Sequence, residues 1–265
     1  MRKISTLMVS VLCMMMPVGA EAQVPTAFVS KGATDIQAQP HTITQTNSGA
    51  QWAPIDPMVR SITMDDGLPS NAVRSVVQGS KGYMWFGTDN GLCRFDGYDV
   101  KTYYNPFTTV DQFVSALTAC EEGLLVGCNN GAYLFCNATD RFQKLSDKIT
   151  APVLNFSLDG DQNIWISTNG QGVFRFNRTT HELHQYPMKN IQGKVQSTLV
   201  DANNQVWMLC NHGEASIYHL NKSTDQFEAF PLKGDATMFH GMAMLAAPDG
   251  NLYVGTWENG LYKLN

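Results

Sequence analysis

The sequence predicts an all-β chain, a β-propeller of four-stranded antiparallel blades with about five blades present of seven. Three observations predict it. The hairpin unit running from Trp85 to Asp96 returns near the end of the chain, from Tyr253 to Leu264. An aromatic-anchored motif recurs at Trp85, Leu125, Trp165, Trp207 and Tyr253, in steps of 40, 40, 42 and 46 residues. Within each step, short apolar runs alternate with Gly- and Asn-containing turns, and no segment sustains a helical period.

In chain order, the first element is an export signal over 1–22. Arg2 and Lys3 are its positive start, Ile4 to Val18 its apolar stretch, and Ala20-Glu21-Ala22 its small-residue cleavage site. The apolar run is short for a membrane span. The mature chain is expected to start at Gln23. Residues 23–57 are rich in Ser, Thr, Gln and Pro and have almost no apolar periodicity, so they are expected to be a disordered linker. Residues 58–265 are the partial propeller.

Each repeat opens on an apolar strand: Ala72–Val77, Phe113–Leu117, Val153–Leu158, Val195–Val200 and Met242–Ala246. A polar turn leads into the aromatic strand. A tight glycine turn follows, and a third strand ends near Phe95, Phe135, Phe176, Leu220 and Leu264. A more polar fourth strand closes four units, over Lys101–Tyr104, Arg141–Leu145, Leu183–Tyr186 and Gln226–Phe230. In the first hairpin, Asn90 and Gly91 both accept the positive φ of a two-residue loop and are expected to adopt it. Val59 to Met64 precedes the first blade and reads as a lone strand.

Composition narrows the function. The chain has 265 residues, 15% charged and 10% aromatic, with a formal net charge of −5. No basic stripe appears, which argues against a nucleic-acid partner. Five cysteines follow the signal: Cys93, Cys120, Cys128, Cys136 and Cys210. The number is odd and none form a C-x-x-C pair, so they read as small buried strand residues. Cys128 and Cys210 fall where Thr88, Thr168 and Thr256 fall in other repeats.

No catalytic, metal or cofactor constellation is expected. Asp159-Gly-Asp-Gln-Asn163 resembles the start of a Ca²⁺ loop, but Ile164 and Gly170 stand where Gly and Glu are required, so a turn is expected. The histidines of His181-Glu-Leu-His184 read as part of a surface hairpin. Trp85, Trp165 and Trp207 recur in one strand position and read as inter-blade packing. Trp257 reads as an extra residue in its turn and an exposed contact candidate. Loops before each first strand would line a funnel. The ligand-binding candidates are therefore Asn71, Arg74, Lys194, His240 and Trp257.

Three blocks, Asp66-Gly-Leu-Pro-Ser-Asn-Ala-Val73, Gly82-Tyr-Met-Trp-Phe-Gly-Thr88 and Asn90-Gly-Leu-Cys-Arg-Phe-Asp-Gly97, closely resemble the two-component regulator propeller repeat. Gly-His and Trp-Asp marks of WD40 blades do not recur, and the Gly-Gly pair of kelch blades is lacking. The likeness weakens in the middle: Leu125 replaces the Trp of the W-x-G-T pattern, and Ser167 and Leu209 replace its Gly.

The resemblance implies the N-terminal sensor region of a hybrid two-component histidine kinase. Such a protein is exported and periplasmic, with its full-length form anchored in the inner membrane. It implies an oligosaccharide ligand, the remaining blades and signalling domains as partners, and a homodimer in the full-length form. Seven blades would need about 290 residues, so the chain is expected to be a truncated, non-enzymatic portion with an open edge that promotes aggregation. Two alternatives stand beside the sensor: a propeller lyase or glycan-active enzyme, and a protein-binding scaffold or non-functional fragment.

Overall fold

Local polar chemistry decides how the first blade begins. In a computed structural model that describes residues 60–108, 111–187, 194–211, 217–231, 240–247, 250–257 and 259–264, no strand forms over residues 60–64. Met64–Asp66 is instead a 3-10 turn. The Thr63 hydroxyl accepts the Asp65 N–H, the Asp66 carboxylate accepts the Thr63 N–H at 2.8 Å, and Gly67 ends the turn at φ 103°. This reciprocal cap satisfies donors that a lone strand would leave open. The expected strand Val59–Met64 is therefore corrected from Arg60 onward. The expected signal peptide and linker lie outside the described residues.

From Ile62 onward the described chain is one compact unit of five antiparallel sheets. The first holds β1 (Val73–Gln78), β2 (Met84–Thr88), β3 (Gly91–Phe95) and β4 (Val100–Tyr103). The second holds β5 (Val114–Ala119), β6 (Gly123–Cys128), β7 (Gly131–Cys136) and β8 (Arg141–Lys144). The third holds β9 (Val153–Leu158), β10 (Asn163–Thr168), β11 (Gly172–Asn177) and β12 (Leu183–Tyr186). The fourth holds β13 (Lys194–Val200), β14 (Val206–Asn211), β15 (Ile217–Asn221) and β16 (Gln226–Ala229), and the fifth β17 (Gly241–Ala246), β18 (Leu252–Thr256) and β19 (Leu261–Leu264). In every sheet the strands pair in chain order, which is the meander of a propeller blade.

First strands of successive blades lie side by side, from β1 through β5, β9 and β13 to β17. Hydrogen bonds join them, from the Leu117 N–H to Ser75 Oγ (3.1 Å) and from Ser115 Oγ to the Val153 carbonyl (2.5 Å). Each first strand carries a bulge at its second or third residue, so one extra residue breaks the ladder at the same place in all five blades.

The core lies in the seams between blades. One cluster joins Trp85, Leu92 and Tyr103 of the first blade to Val114, Val126 and Phe135 of the second. Others join the second to the third (Leu125, Ile164, Phe174), the third to the fourth (Trp165, Tyr186, Met208) and the fourth to the fifth (Leu209, Ile217, Val254). Trp85 and Trp165 are buried, as expected of packing residues, whereas Trp207 is half-buried.

The glycines of the W-x-G-T pattern belong to these seams. A Cβ on Gly87 would sit 2.7 Å from Val114 of the next blade, and one on Gly127 2.8 Å from Val153. The first hairpin departs from expectation. Its loop residues are Asp89 and Asn90, and Asn90 does not take a positive φ; Gly91 does, at 132°. Thr88 is the cause: its Oγ1 accepts the Asn90 N–H (3.1 Å) and donates to the Gly91 carbonyl (2.9 Å). The left-handed duty passes to Gly91, where it costs least.

Candidate functional site

In four blades the residue after the second strand starts a loop on a common face: Asp89, Asn129, Asn169 or Trp257. In the fourth blade the equivalent residue is Asn211, which ends β14. In the first, third and fifth blades the backbone N–H of this residue donates to the residue just ahead of the first strand: Asp89 to Ala72 (3.1 Å), Asn169 to Pro152 (2.8 Å), Trp257 to His240 (3.0 Å). Because the first strands run side by side, these loop starts form an arc of one carboxylate, three amides and one indole. The carboxylate and two of the amides are held by neighbours. Arg74 grips Asp89 through two bonds of 2.6 and 2.9 Å, Asn129 donates to Asp111 (2.7 Å), and Asn211 donates to Gln196 (2.8 Å).

The sequence-nominated residues fall on or beside this arc. Arg74 is the bulge residue of β1, and its guanidinium also lies 5.6 Å from the Phe113 ring centroid. Lys194 opens β13 directly opposite Asn211. His240 and Trp257 are joined by their backbone bond. Asn71 has a structural task, accepting the Met64 N–H at 2.8 Å and so bracing the capped turn.

Trp257 is not an extra residue. It occupies the position of Asp89, and its loop before Gly260 matches in length the loop 169–171 before Gly172. Its side chain is 55% exposed. Asp89, Asn129, Asn169 and Asn211 were not nominated from sequence. The available signal was an Asp or Asn following the Thr or Cys at the fourth place of the W-x-G-T pattern in the first four repeats.

The opposite face carries the turns between first and second strands. There Asp159 accepts the Asp161 and Asn163 N–H groups with Oδ1, and the Asn163 amide and Trp165 indole with Oδ2. Asp201 repeats this with Asn203, Gln205 and Trp207. These carboxylates fasten turn to tryptophan, so the D-x-D-x-N stretch is the expected turn. Beside it, an open groove of about 590 Å³ spans the turns of the first three blades. Arg178 borders the groove and reaches across to Glu122 of the preceding blade (3.3 Å). Among the described residues no group of three or more His, Cys, Asp or Glu is placed to hold a metal ion.

Together these elements define an all-β propeller with its loop starts gathered on one face. A model of the two-component regulator propeller family matches residues 67–90. Those residues are the turn before β1, then β1, β2 and the first loop start. Comparison with curated proteins finds no match.

Among solved structures, the chain is similar to the extracellular domain assigned to a hybrid two-component system of B. thetaiotaomicron. The TM-score is 0.65 and the identity 18%, covering 78% of this chain and 30% of that one. A second such domain, assigned to a one-component system of the same organism, gives 0.64 and 19%, over 74% and 27%. A catalytically inactive histidine variant of virginiamycin B lyase from Staphylococcus aureus gives 0.63 and 15%, over 75% and 69%. Identities this low speak for the fold alone. The chain spans less than a third of the two extracellular domains.

Proposed function

We propose that this chain is the extracytoplasmic ligand-sensing propeller portion of a hybrid two-component sensor histidine kinase, which recognises oligosaccharides and signals to a kinase elsewhere in the full-length protein. The observation that carries the reading is the family repeat at 67–90, placed at the opening of the first blade. The arc of Asp89, Asn129, Asn169, Asn211 and Trp257 supports the sugar class. Planar amides and carboxylates match hydroxyl groups, and an exposed indole offers a ring face for stacking. The export pattern over 1–22 supports an extracytoplasmic location.

The test is a thermal-shift screen of the purified chain against an oligosaccharide panel, with product analysis of each mixture. A saturable rise in Tm without cleavage is the expected result. Cleavage of any oligosaccharide would replace the sensor with a glycan-active enzyme. Silence across the panel would overturn the sugar reading and favour a scaffold for protein contacts.

A further inference from the structure

The turn between first and second strands follows one backbone plan in the first, third and fourth blades. Its fourth residue is left-handed in each: Gly82 at φ 84°, Gln162 at 64° and Asn204 at 58°. The N–H of its first residue donates to the carbonyl of its fifth: Gly79 to Tyr83 (2.9 Å), Asp159 to Asn163 (3.1 Å) and Asp201 to Gln205 (3.0 Å). In the third and fourth blades that first residue is an aspartate with three equivalent donors. Asp159 accepts the Asp161 N–H, the Asn163 N–H and the Trp165 indole at 2.8, 2.9 and 2.8 Å. Asp201 accepts the Asn203 N–H, the Gln205 N–H and the Trp207 indole, each at 2.9 Å.

The first blade has the same donors and no aspartate. Gly79 stands first in the turn, and the donors are the Lys81 N–H, the Tyr83 N–H and the Trp85 indole. None of the three has an acceptor among the described residues. The Trp85 nitrogen lies 2.7 Å from where a Cβ on Gly79 would stand, so it borders the place that aspartate takes in the other turns. Gly79 and Ser80 line the open groove of about 590 Å³, which gives the turn access to solvent. Lys81 is exposed beside it, and the Arg94 guanidinium lies 4.6 Å from the Tyr83 ring centroid and 6.0 Å from that of Trp85. Of the carboxylates that line the groove, Asp159 is spent on its own turn and Glu121 lies 3.7 Å from Arg178.

We propose that the first-blade turn binds the carboxylate of a small ligand that enters through this groove. One oxygen accepts the Lys81 and Tyr83 N–H groups and the other the Trp85 indole, the division that Asp159 and Asp201 make in their own turns. Several N–H donors converging on a carboxylate favour its charged form, and Lys81 and Arg94 add positive potential. A free carboxylate brings no Cβ, so it can sit beside the indole where an aspartate of the chain would have to displace the ring. The site lies on the face opposite the loop-start arc and does not rest on the sugar reading.

Titration of the ¹⁵N-labelled chain with sodium acetate, replacing sodium chloride at constant ionic strength, tests the proposal by ¹H–¹⁵N NMR. The Lys81 and Tyr83 amide signals and the Trp85 indole signal should move together and saturate, with a Kd on the order of 10 mM. The Trp165 and Trp207 indoles should stay still, because Asp159 and Asp201 already hold them. Gly79→Asp should move the Trp85 indole without acetate and abolish the response. Trp85→Phe serves if Gly79→Asp does not fold, and should weaken acetate about tenfold at the two amides. Signals that fail to saturate, or that move equally for Trp85, Trp165 and Trp207, overturn the site. Acetate binding as tight in a folded Gly79→Asp or Trp85→Phe protein as in wild type overturns it too.

Discussion

Gly241 faces Leu209 across the seam between the fourth and fifth blades, and the leucine leaves no room for a Cβ on the glycine. In the first two seams the sizes are reversed, with Gly87 against Val114 and Gly127 against Val153. The seam thus conserves volume by exchanging which strand supplies the large residue. Gly241→Val should cost about 1–3 kcal/mol by overpacking. Leu209→Ala alone should cost about 2–5 kcal/mol by leaving a cavity. The double variant should be more stable than their sum by about 0.5–3 kcal/mol. Denaturant unfolding of the four proteins in the cycle measures that coupling, and strict additivity would show that the two residues do not share the space.

That exchange shows where legibility in the sequence stops. Turn glycines and apolar alternation are local, so the blade period could be read directly, and β9 and β12 have the bounds expected of them. Leu209 stood out as a departure from the W-x-G-T pattern because its compensation lies 32 residues away in another blade. Complementarity of that kind needs the register before it becomes visible. The same holds for the arc of Asp89, Asn129, Asn169 and Asn211, which is scattered in sequence and gathered by the blades. The failed strand before the first blade has a different cause, since Thr63 and Asp66 offered a local alternative to pairing.

Tyr186 donates to Asp225 in the next blade at 2.8 Å, and Arg175 grips the same carboxylate at 2.9 and 3.0 Å. Partial burial is the largest influence on Asp225 and pushes its carboxyl up, but Tyr186 and Arg175 together outweigh it and hold it below the ordinary value. A lowered folded-state pKa means the contribution is present above the unfolded value of about 3.9 and is lost as pH falls through the folded value. Asp225→Asn should flatten that acid-side loss in a Tm-against-pH series. Asp225→Ala should cost about 1–3 kcal/mol, since it strands the buried Tyr186 hydroxyl. Tyr186→Phe with Asp225→Ala should recover part of that cost.

Asp159 spends both oxygens on protein donors, including the Trp165 indole at 2.8 Å. Asp159→Ala should therefore lower stability by about 1–3 kcal/mol. Excess Ca²⁺ should leave the Tm of wild type where EGTA leaves it. A Ca²⁺-dependent rise that Asp159→Ala removes would make the turn a cation site.

The cysteines should separate by reactivity. Burial pushes the thiols of Cys93 and Cys120 up to about 11, and those of Cys128 and Cys210 up to about 12. Cys136 is half-buried, and the Thr139 hydroxyl, followed by backbone N–H groups, lowers it. Reactivity follows the thiolate. Iodoacetamide at pH 8 should therefore label Cys136 first, and the other four should react only as denaturant opens the blades. Peptide mapping by mass spectrometry reads the order directly.

Trp257 is fixed to the fold by its backbone, through the N–H bond to His240, while its indole stays 55% exposed. Removing the ring should therefore leave the blade intact, with Trp257→Ala within about 0.5 kcal/mol of wild type. If the loop-face arc reads sugars, the same substitution should weaken oligosaccharide binding about three- to tenfold, the size of an aromatic contact. Binding to wild type should also quench the exposed indole, because Trp85 and Trp165 are buried and shielded. A Trp257→Ala protein that binds as tightly as wild type, with the fluorescence change intact, would move the sugar site away from this arc. The groove over the first three blades, bordered by Arg178, would then be the next surface to probe by substitution.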